Sequence, residues 1–342
     1  MKKVILTLCT SIYLLASVSA QIFYVDSQNG DNMNTGKADS PLKTIQKAME
    51  VVNTLTGSGD ITIKIMPGFY LLDDRIDINP VRVLDENSKL KIEAAILPGD
   101  SLWKPASMPV IESFSTNNSK TQFEHSTGFL VASDFVEFRG IKFYGNANPL
   151  VKYYYPITRE NPDLKNLVVS QCMFIGDRNS AVIQGGIWAH GIDIDINHNV
   201  FYQCRNAILL FQNINNSSIS NNIIYNAYES AFWMGNDVNM KFENNIISNC
   251  NYFWVGDQAS KIEYKISNSI ISENKHFRGN WGENGLVVST QKFLETNINK
   301  KEKIELIERI SEEIPEAHLH VAPETIAYDL DAGIFKKELT NK

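Results

Sequence analysis

The sequence predicts an all-β fold, a single-stranded right-handed parallel β-helix, in which short strands wind into a stack of coils. An asparagine-rich pair recurs at steps of 23, 23 and 24 residues, after an alternating run and before an apolar pair. A second apolar patch follows about nine residues later. Repeats of this length with two or three short strands form the coils of a β-helix, which stack at roughly 4.8 Å. The recurring pairs are His198-Asn199, Asn221-Asn222, Asn244-Asn245 and Asn268-Ser269.

The asparagine pairs are predicted to be structural. Asparagine tolerates the left-handed backbone dihedrals of a tight corner, and stacked asparagine side chains can hydrogen-bond from coil to coil. The cysteines fit the same register, because Cys204 and Cys250 each lie five residues after the second asparagine of a pair. They are two coils apart, roughly 9–10 Å, which is too far for a disulfide. We therefore predict buried free thiols.

The N-terminal part of the chain carries a further indication. The segment "FYVDSQNGDNMNTGKADSPLKTIQKAMEVV" is followed by "GDITIKIMPGFYLLDD". This order of an aromatic-Tyr-Val-Asp strand, a Gly/Asn-rich loop, a Pro-led helix and a strand ending in Pro-Gly-x-Tyr resembles secreted β-helix proteins of the pectate-lyase-like superfamily. The resemblance is close over residues 23–72 and looser to about residue 279. It implies the architecture and leaves the chemistry open, because the superfamily includes lyases, hydrolases, epimerases and non-catalytic adhesins.

Residues 1–20 are predicted to be a signal peptide. Lys2 and Lys3 precede an apolar run over residues 4–16, and "SVSA" is a small-residue cleavage site. The run is too short to span a bilayer, and no later segment approaches 18 apolar residues, so no membrane span is expected. We expect a secreted or periplasmic protein. Residues 21–342 are predicted to form one β-helix domain, with an N-terminal cap at 21–60, coils at about 61–289, and a C-terminal helix and tail at 290–342.

Helices are predicted at both ends of the β-helix. Ser40 is a good N-cap and Pro41 a good first helical residue for the N-terminal helix. Residues 291–314 have one charged and one apolar side and predict a second helix. Such helices cover the apolar core and the free strand edges that an open solenoid end exposes.

Charge and cysteine content exclude several classes of protein. Without residues 1–20 the chain has 30 basic and 39 acidic side chains, a net charge of −9. It lacks the basic surface of a nucleic-acid-binding protein, so no nucleic acid is expected as a partner. Without residues 1–20, three of the four cysteines remain, and the absence of a CxxC motif among them excludes a disulfide scaffold and a zinc ribbon. The expected partner is a polysaccharide, bound by a monomer along the shallow groove of the stacked strands.

Candidate catalytic and metal-binding residues share one outward face in the predicted register. Asp193 and Asp195 lie on one coil, Lys241 and Glu243 two coils on, and Lys265 on the next. Grouped carboxylates (Asp193, Asp195, Glu243) can bind Ca²⁺, which stabilises the enolate-like charge of a β-elimination. Lys241 or Lys265 is the candidate base. Lyases of the superfamily use such a set, by resemblance.

Two further residues are candidates for catalysis. His190 lies in "WAHG", which is faintly similar to the Gly-His-Gly of β-helical polygalacturonases, and Arg278 lies in "KHFRGNWGENG". An arginine can hold a substrate carboxylate through paired hydrogen bonds. Asp193 and Asp195 also permit glycoside hydrolysis, because two strand residues of this spacing lie roughly 6–7 Å apart on one side.

Aromatic residues are the candidates for sugar binding. Trp233 in "FWMG" and Trp254 in "FWVG" are read as matching positions of adjacent coils. Indole rings on an outer surface make flat platforms for sugar rings. The alternative is an inward aromatic stack, with Phe232 and Phe253 outward. The full set of candidates is Trp188, Trp233, Trp254 and Trp281.

The predicted function is that of a secreted carbohydrate-active protein, a polysaccharide lyase that cleaves an acidic, uronate-containing polysaccharide by β-elimination. Two alternatives remain open. One is a non-catalytic glycan-binding or surface β-helix protein, and the other is a glycoside hydrolase that uses Asp193 and Asp195. Geometry discriminates between them, since a lyase needs Lys241 or Lys265 beside clustered carboxylates in a groove, whereas a binding protein needs only the aromatic platform.

Overall fold

The computed structural model describes residues 20–177, 179–235, 238–257, 264–283, 285–310 and 317–336. The predicted signal peptide lies outside these ranges, apart from Ala20. The described residues form 26 strands and one α-helix, α1 (Ile45–Asn53). No helix among them is both long and apolar enough to cross a membrane.

The strands are short and follow one another along the chain with few interruptions. The first thirteen are β1 (Gln21–Val25), β2 (Ile61–Ile65), β3 (Phe69–Leu72), β4 (Ile76–Ile78), β5 (Leu90–Ala94), β6 (Val110–Ser113), β7 (Ser126–Val131), β8 (Val136–Arg139), β9 (Lys142–Asn146), β10 (Tyr154–Arg159), β11 (Lys165–Ser170), β12 (Met173–Ile175) and β13 (Ile187–Ala189). The others are β14 (Ile192–Asn197), β15 (Val200–Tyr202), β16 (Asn206–Leu210), β17 (Ile214–Ser220), β18 (Ile223–Tyr225), β19 (Ser230–Met234), β20 (Val238–Glu243), β21 (Ile246–Ser248), β22 (Tyr252–Asp257), β23 (Lys265–Ser272), β24 (His276–Gly282), β25 (Gly285–Val288) and β26 (Leu294–Asn299).

Successive coils stack their strands into three parallel sheets, which makes the fold a parallel β-helix. Sheet 1 has the order β1-β2-β5-β8-β11-β14-β17-β20-β23-β26. Sheet 2 has the order β3-β6-β9-β12-β15-β18-β21-β23, so the long strand β23 joins it to sheet 1. Sheet 3 has the order β4-β7-β10-β13-β16-β19-β22-β24 and ends with the antiparallel strand β25.

The core lies between the three sheets, and the register predicted for sheet 1 is confirmed. Ile196 pairs with Ile219 and Ile219 with Phe242, and all three are buried. In sheet 2, aromatic rings stack in the same manner. The ring centroids of Phe174 and Phe201 lie 4.6 Å apart with the rings nearly parallel. Alternate residues of each strand therefore fill the interior, as the two-residue period of a strand requires.

The asparagine pairs form a buried hydrogen-bonded ladder, as predicted. Nδ2 of Asn199 donates to Oδ1 of Asn222, and Nδ2 of Asn222 donates to Oδ1 of Asn245, each at 3.0 Å. Each of these Oδ1 atoms also accepts the backbone N–H of the preceding coil's asparagine, again at 3.0 Å. The ladder continues to Ser269, whose hydroxyl accepts the N–H of Asn245 at 3.1 Å. The residue before each rung has left-handed dihedrals, with φ between 44° and 57°: His198, Asn221, Asn244 and Asn268.

The cysteines lie in the core as free thiols, which confirms the prediction. Cys172, Cys204 and Cys250 are all buried and unpaired with one another. Burial raises the pKa of the Cys250 thiol to about 12, so this sulfur stays protonated and unreactive at neutral pH.

The N-terminal helix starts later than predicted. Its N-cap is Thr44, whose hydroxyl accepts the backbone N–H of Lys47 at 3.1 Å. The segment with Ser40 and Pro41 stays extended instead, because the N–H of Leu42 donates to the carbonyl of Tyr24 and joins this stretch to β1. The apolar side of α1 packs against the core near β1, β2 and β4.

The predicted C-terminal helix is wrong over the described residues. Leu294–Asn299 is the strand β26, which adds to the edge of sheet 1 beside β23, and residues 300–310 contain no helix. Residues 311–314 of the predicted helix lie outside the described ranges. The physical reason is that β26 satisfies the free backbone groups of the strand edge, and such tertiary pairing overrides local helix propensity.

The end of the described chain folds back over sheet 2. Residues 317–336, here the C-terminal strap, cover an outward apolar column of that sheet through Leu319, Val321 and Ile334. Nε2 of Gln171 donates to the carbonyl of Ile334, and Nδ2 of Asn221 donates to that of Leu330, both at 3.0 Å. The covered column is Met173, Val200, Ile223, Ile246 and Ile270.

His320 lies at the centre of the strap. Its Nδ1 donates to the carbonyl of His318 at 2.8 Å, and its Nε2 accepts the N–H of Ile334 at 3.0 Å. Gly333 packs against the ring so closely that a Cβ there would lie 2.2 Å from Nε2. This pattern requires a neutral imidazole, and burial lowers the pKa of His320 to about 4.

We predict that Asn222→Ala destabilises the protein by about 3 kcal/mol, because it removes the acceptor of a buried N–H on Asn199 and the donor to the buried carbonyl of Ile196. Urea denaturation followed by circular dichroism measures the loss. The matched control is Ser220→Ala, an outward position of the same coil at the end of β17, with an expected change below about 0.5 kcal/mol. Equal losses in the two variants would contradict the ladder's role.

We predict that His320 makes stability depend on pH. The histidine of the unfolded chain takes up a proton below about pH 6.5, whereas the folded ring stays neutral until about pH 4. The contribution of the neutral ring to the free energy of unfolding is therefore present above pH 6.5 and is lost as the pH falls from 6.5 to about 4. The unfolding free energies of the wild type and His320→Gln, measured across it, should converge by about 1.4 kcal/mol per pH unit. Parallel curves would show that His320 is not the titrating group.

Candidate functional site

The structure divides the predicted site residues between two sheets. His190, Trp188, Trp233 and Trp281 belong to sheet 3 or directly follow one of its strands. The candidates on sheet 1 keep their predicted register, since Ser218 pairs with Asp195 on one side and Lys241 on the other. The sheet 1 residues are Asp193, Asp195, Lys241, Glu243 and Lys265.

The candidates on sheet 1 do not converge on a metal or a catalytic centre. The side chain of Lys241 is 65% exposed, and its Nζ pairs with Glu243 on the same strand. Asp193, the second residue of β14, has left-handed dihedrals, and its carboxylate accepts from Nδ2 of Asn216 at 2.6 Å. Within the described ranges, no three His, Cys, Asp or Glu side chains group closely enough to hold a metal ion. Calcium binding by Asp193, Asp195 and Glu243 stays a prediction.

Trp254 points into the core, so the prediction that it binds sugar is wrong. Trp254 pairs with Phe232 and is fully buried, whereas Trp233 pairs with Val255. The reason is the step from β19 to β22, where Ser230 pairs with Tyr252. This step is one residue longer than the spacing of the two tryptophans, and a one-residue shift turns a side chain to the other face.

Arg278 also points inward, which contradicts its predicted catalytic role. It continues the inward column beside Trp254 and is 2% exposed. Its guanidinium lies 5.3 Å from the ring centroids of Tyr264 and of Phe293. Burial lowers the pKa of Arg278. The side chain thus stacks with core aromatic rings and does not meet a substrate carboxylate.

His190 lies beside the outer aromatic surface of sheet 3. It follows β13, and its Nδ1 accepts the N–H of Gln212 at 3.2 Å. Its ring centroid is 6.3 Å from that of Trp188 and 6.0 Å from that of Phe211. Burial lowers the pKa of His190, so the ring is neutral at neutral pH. It sits on a different sheet from Asp193, Asp195 and Lys241, and its catalytic role stays a prediction.

The outer surface of sheet 3 carries a cleft of about 420 Å³, here the aromatic cleft. Trp188, Leu209 and Trp233 form its floor, because parallel pairing places them side by side on β13, β16 and β19. Successive coils are roughly 4.8 Å apart, so the two indoles are separated by roughly 10 Å. The residues lining the cleft are Gln122, Phe123, Tyr153, Tyr155, Gln184, Trp188, Arg205, Asn206, Leu209, Phe211, Glu229, Trp233 and Trp281.

Further aromatic rings form the ends of the floor. Trp281 from β24 packs against Trp233 with a centroid distance of 5.4 Å and remains 51% exposed. Tyr155 from β10 packs against Trp188 at 4.8 Å. Burial raises the pKa of Tyr155, so its phenol stays protonated. The cleft therefore offers flat apolar rings in several adjacent coils.

One edge of the cleft is polar. Arg205 and Glu229 lie on adjacent coils, just before β16 and β19, and form an ion pair through Nε of the arginine. Nη1 of Arg205 donates to Oε1 of Gln184 at 3.2 Å. Glu229 is the one carboxylate among the described residues that line the cleft. The edge thus places hydrogen-bond donors and acceptors beside the aromatic floor.

The segment 118–125 closes one end of the cleft. Hydroxyls of Ser119 and Thr121 donate to the two carboxylate oxygens of Glu160, at 3.0 and 2.5 Å. Phe123 stacks on Trp188 with a centroid distance of 6.0 Å and an angle of 7°. His125 lies below, and its Nδ1 is 2.9 Å from the carbonyl oxygen of Phe123.

Sequence reasoning missed the polar edge and the closed end. Arg205 and Glu229 lie 24 residues apart, which is the length of one coil. This spacing could have predicted that they are neighbours on adjacent coils. The segment 148–165 reads in the sequence as an excursion from the coils, yet it contains the regular strand β10 and with it Tyr155. The position of His125 and Glu160 had no periodic signal, because the segment 118–125 lies between strands.

We predict that Trp233 and Trp281 account for most of the quenching of tryptophan fluorescence by iodide, because Trp188 and Trp254 are buried. Quenching should fall several-fold in the Trp233→Phe/Trp281→Phe double variant and stay unchanged in Trp254→Phe. Strong loss of quenching in Trp254→Phe would place that indole on the surface and support the prediction that Trp254 binds sugar.

Residues 127–300 match the protein family described as "Right handed beta helix region". No curated protein matches the sequence. Among solved structures, the chain is similar to a rhamnogalacturonan lyase, with 12% identity, a TM-score of 0.45, and coverage of 75% of this chain and 70% of that chain. It is also similar to a GH136 lacto-N-biosidase from Eubacterium ramulus, with 8% identity, a TM-score of 0.45, and coverage of 82% and 68%.

At such identities the likeness to these two structures concerns the fold alone. The family match, in contrast, extends over just over half of the 342 residues and includes most of the coils that build sheets 1 to 3. The protein belongs to the right-handed β-helix family.

Proposed function

We propose that this protein is a carbohydrate-active β-helix protein that binds a glycan along the aromatic cleft of sheet 3. The observation that carries the proposal is the floor of outward aromatic rings, in which Trp188 and Trp233 are held in register two coils apart. Flat rings of this kind pack against the apolar face of a pyranose, and the polar edge beside them can orient the hydroxyls.

The shape of the cleft favours an extended ligand. The floor runs along the stacking direction of the coils from Tyr155 to Trp281, and a floor of this shape suits a chain of sugar rings better than a compact metabolite. The separation of Trp188 and Trp233, roughly 10 Å, is close to the length of a disaccharide. Trp233 can therefore pack on one sugar ring of a chain, and Trp188 on another once Phe123, which stacks on it, turns away.

The polar edge has hydrogen-bonding capacity left for a ligand. Arg205 uses Nε for Glu229 and Nη1 for Gln184, and its side chain remains 38% exposed. A guanidinium has five N–H donors in a planar fork, so donors remain for a sugar hydroxyl or carboxylate. The edge thus accepts neutral and acidic sugars alike.

Elimination on a uronate-containing polysaccharide is the second candidate, favoured by the placement of Arg205 in the cleft. This reaction needs a cation for the uronate carboxylate, a base for the proton α to it, and a proton for the leaving oxygen. Arg205 would supply the cation, Glu229 the base, and the protonated phenol of Tyr155 the proton. Lys241 and Lys265 lie on sheet 1 and have no part in it.

Two-carboxylate glycoside hydrolysis receives less support from the cleft. That mechanism needs two acidic groups on either side of the scissile bond. Glu229 is unaccompanied by a second carboxylate among the described lining residues, and Asp193 and Asp195 are on sheet 1.

We predict that Trp188→Ala and Trp233→Ala each weaken glycan binding by about 10-fold or more, because each removes a central apolar contact. Isothermal titration with a panel of neutral and uronate oligosaccharides measures the affinity. Lys241→Ala, on sheet 1, is the control and should bind as the wild type. Unchanged affinity in both tryptophan variants would overturn the proposal.

Incubation of the protein with the uronate oligosaccharides of the same panel separates binding from elimination. A lyase raises the ultraviolet absorbance of the solution, because its product carries an unsaturated uronate. A signal that disappears in Arg205→Ala would establish elimination in the cleft. Binding without any such signal, over the uronate members of the panel, would leave a glycan-binding protein.

A further inference from the structure

The closed end of the aromatic cleft holds two buried polar atoms without partners. Nε2 of His125 and Nε1 of Trp188 make no hydrogen bond to any described residue. The two side chains are 0% and 3% exposed, and their ring centroids lie 5.1 Å apart. A buried polar atom left without a partner costs about 1–3 kcal/mol, so two such atoms at one place call for an explanation.

Neighbouring groups do not satisfy these atoms. Glu160 is a charged neighbour, and its Oε1 lies 3.8 Å from Nε2 of His125, beyond hydrogen-bond distance. Both oxygens of Glu160 already accept hydrogen bonds from Ser119 and Thr121. The carboxylate is therefore committed to holding the segment 118–125 in place.

The two free atoms are complementary to each other in role. Nδ1 of His125 donates to the carbonyl of Phe123, so Nε2 of the neutral ring is an acceptor. Nε1 of Trp188 is a donor only. One acceptor beside one donor matches a hydroxyl group, which donates one hydrogen bond and accepts another.

We propose that the closed end of the aromatic cleft is a subsite for the last sugar of a glycan chain, where one ring hydroxyl donates to Nε2 of His125 and accepts from Nε1–H of Trp188. This inference rests on the proposed function and adds the recognition of a chain end. The segment 118–125, which Ser119 and Thr121 fasten to Glu160, would end the chain here, because its Gln122 and Phe123 line this end of the cleft.

Phe123 is the cover of the subsite. Its ring is stacked on Trp188 and lies 5.3 Å from His125. The face of the indole that a terminal sugar would use is thus occupied by a phenylalanine from the segment 118–125. The sugar takes its place when Phe123 turns outward, and the hydroxyl then satisfies both buried atoms.

The test uses xylo-oligosaccharides and oligogalacturonides of two to six units, a range set by the length of the cleft, with free or methylated hydroxyls at the chain ends. Trp188→Phe removes the indole donor and keeps a flat ring, and His125→Phe removes the acceptor. Trp233→Phe is the matched control, since it removes an indole from the same floor without touching the closed end.

We predict that Trp188→Phe and His125→Phe each weaken the binding of free-ended oligosaccharides by about 10-fold, and Trp233→Phe by less than about 3-fold. Methylated ends should weaken binding to the wild type by a similar factor and make little difference to His125→Phe, because a methyl ether still accepts from Nε1–H of Trp188 but cannot donate to Nε2 of His125. Should His125→Phe misfold, as circular dichroism would show, Trp188→Phe and the methylated probes still decide the question.

Two results would overturn the subsite. The first is that Trp188→Phe binds free-ended oligosaccharides as tightly as Trp233→Phe does, and the second is that the wild type binds free and methylated ends equally. Either result leaves the proposed function intact if Trp188→Ala and Trp233→Ala lose affinity. Wild-type affinity in both alanine variants would instead remove the cleft as the glycan site altogether.

Discussion

The buried asparagine ladder is the interaction on which the rest of the structure depends. Asn199 and Asn222 each join their coil to the next by one hydrogen bond from the side-chain amide and one from the backbone N–H, and Asn245 continues the ladder to Ser269 through its backbone N–H. A polar amide in this interior is tolerated only when its partners are in place, so the ladder permits one stacking register and penalises others. Sheets 1 and 2, whose strands directly precede and follow the ladder residues, share this register.

The same ladder explains which part of the fold could be predicted from the sequence. The asparagine pairs mark one corner of each coil chemically, and strands counted from that corner have the right register, as the column Ile196, Ile219 and Phe242 shows. The strands of sheet 3 follow a second corner of each coil, which no repeated asparagine pair marks in the sequence. There a single residue of coil length decides whether Trp254 faces the core or the solvent. Sequence periodicity carries no information on a difference of this size.

The candidate site was less accessible to prediction than the fold, for two physical reasons. Its aromatic floor depends on which alternate residues of the sheet 3 strands face outward. Its closed end depends on a segment that lies between strands. Ser119 and Thr121 bring that segment to Glu160 through contacts about 40 residues distant in sequence, and no local pattern announces them. The C-terminal strand β26 makes the same point for the fold, since a segment with helical composition adopts a strand where a sheet edge offers hydrogen bonds.

The C-terminal strap gives the molecule a property that simple solenoids lack. In a stack of repeats each coil contacts only its neighbours, so unwinding can begin at one end and proceed coil by coil. Here Phe335 of the strap packs on Trp103, with a centroid distance of 4.8 Å, while other strap residues cover strands as late as β23. Early and late coils are thereby fastened by one strip of chain. Peeling from the C-terminal end requires that this strip detach along its whole length, which couples the coils into a mechanically cooperative unit.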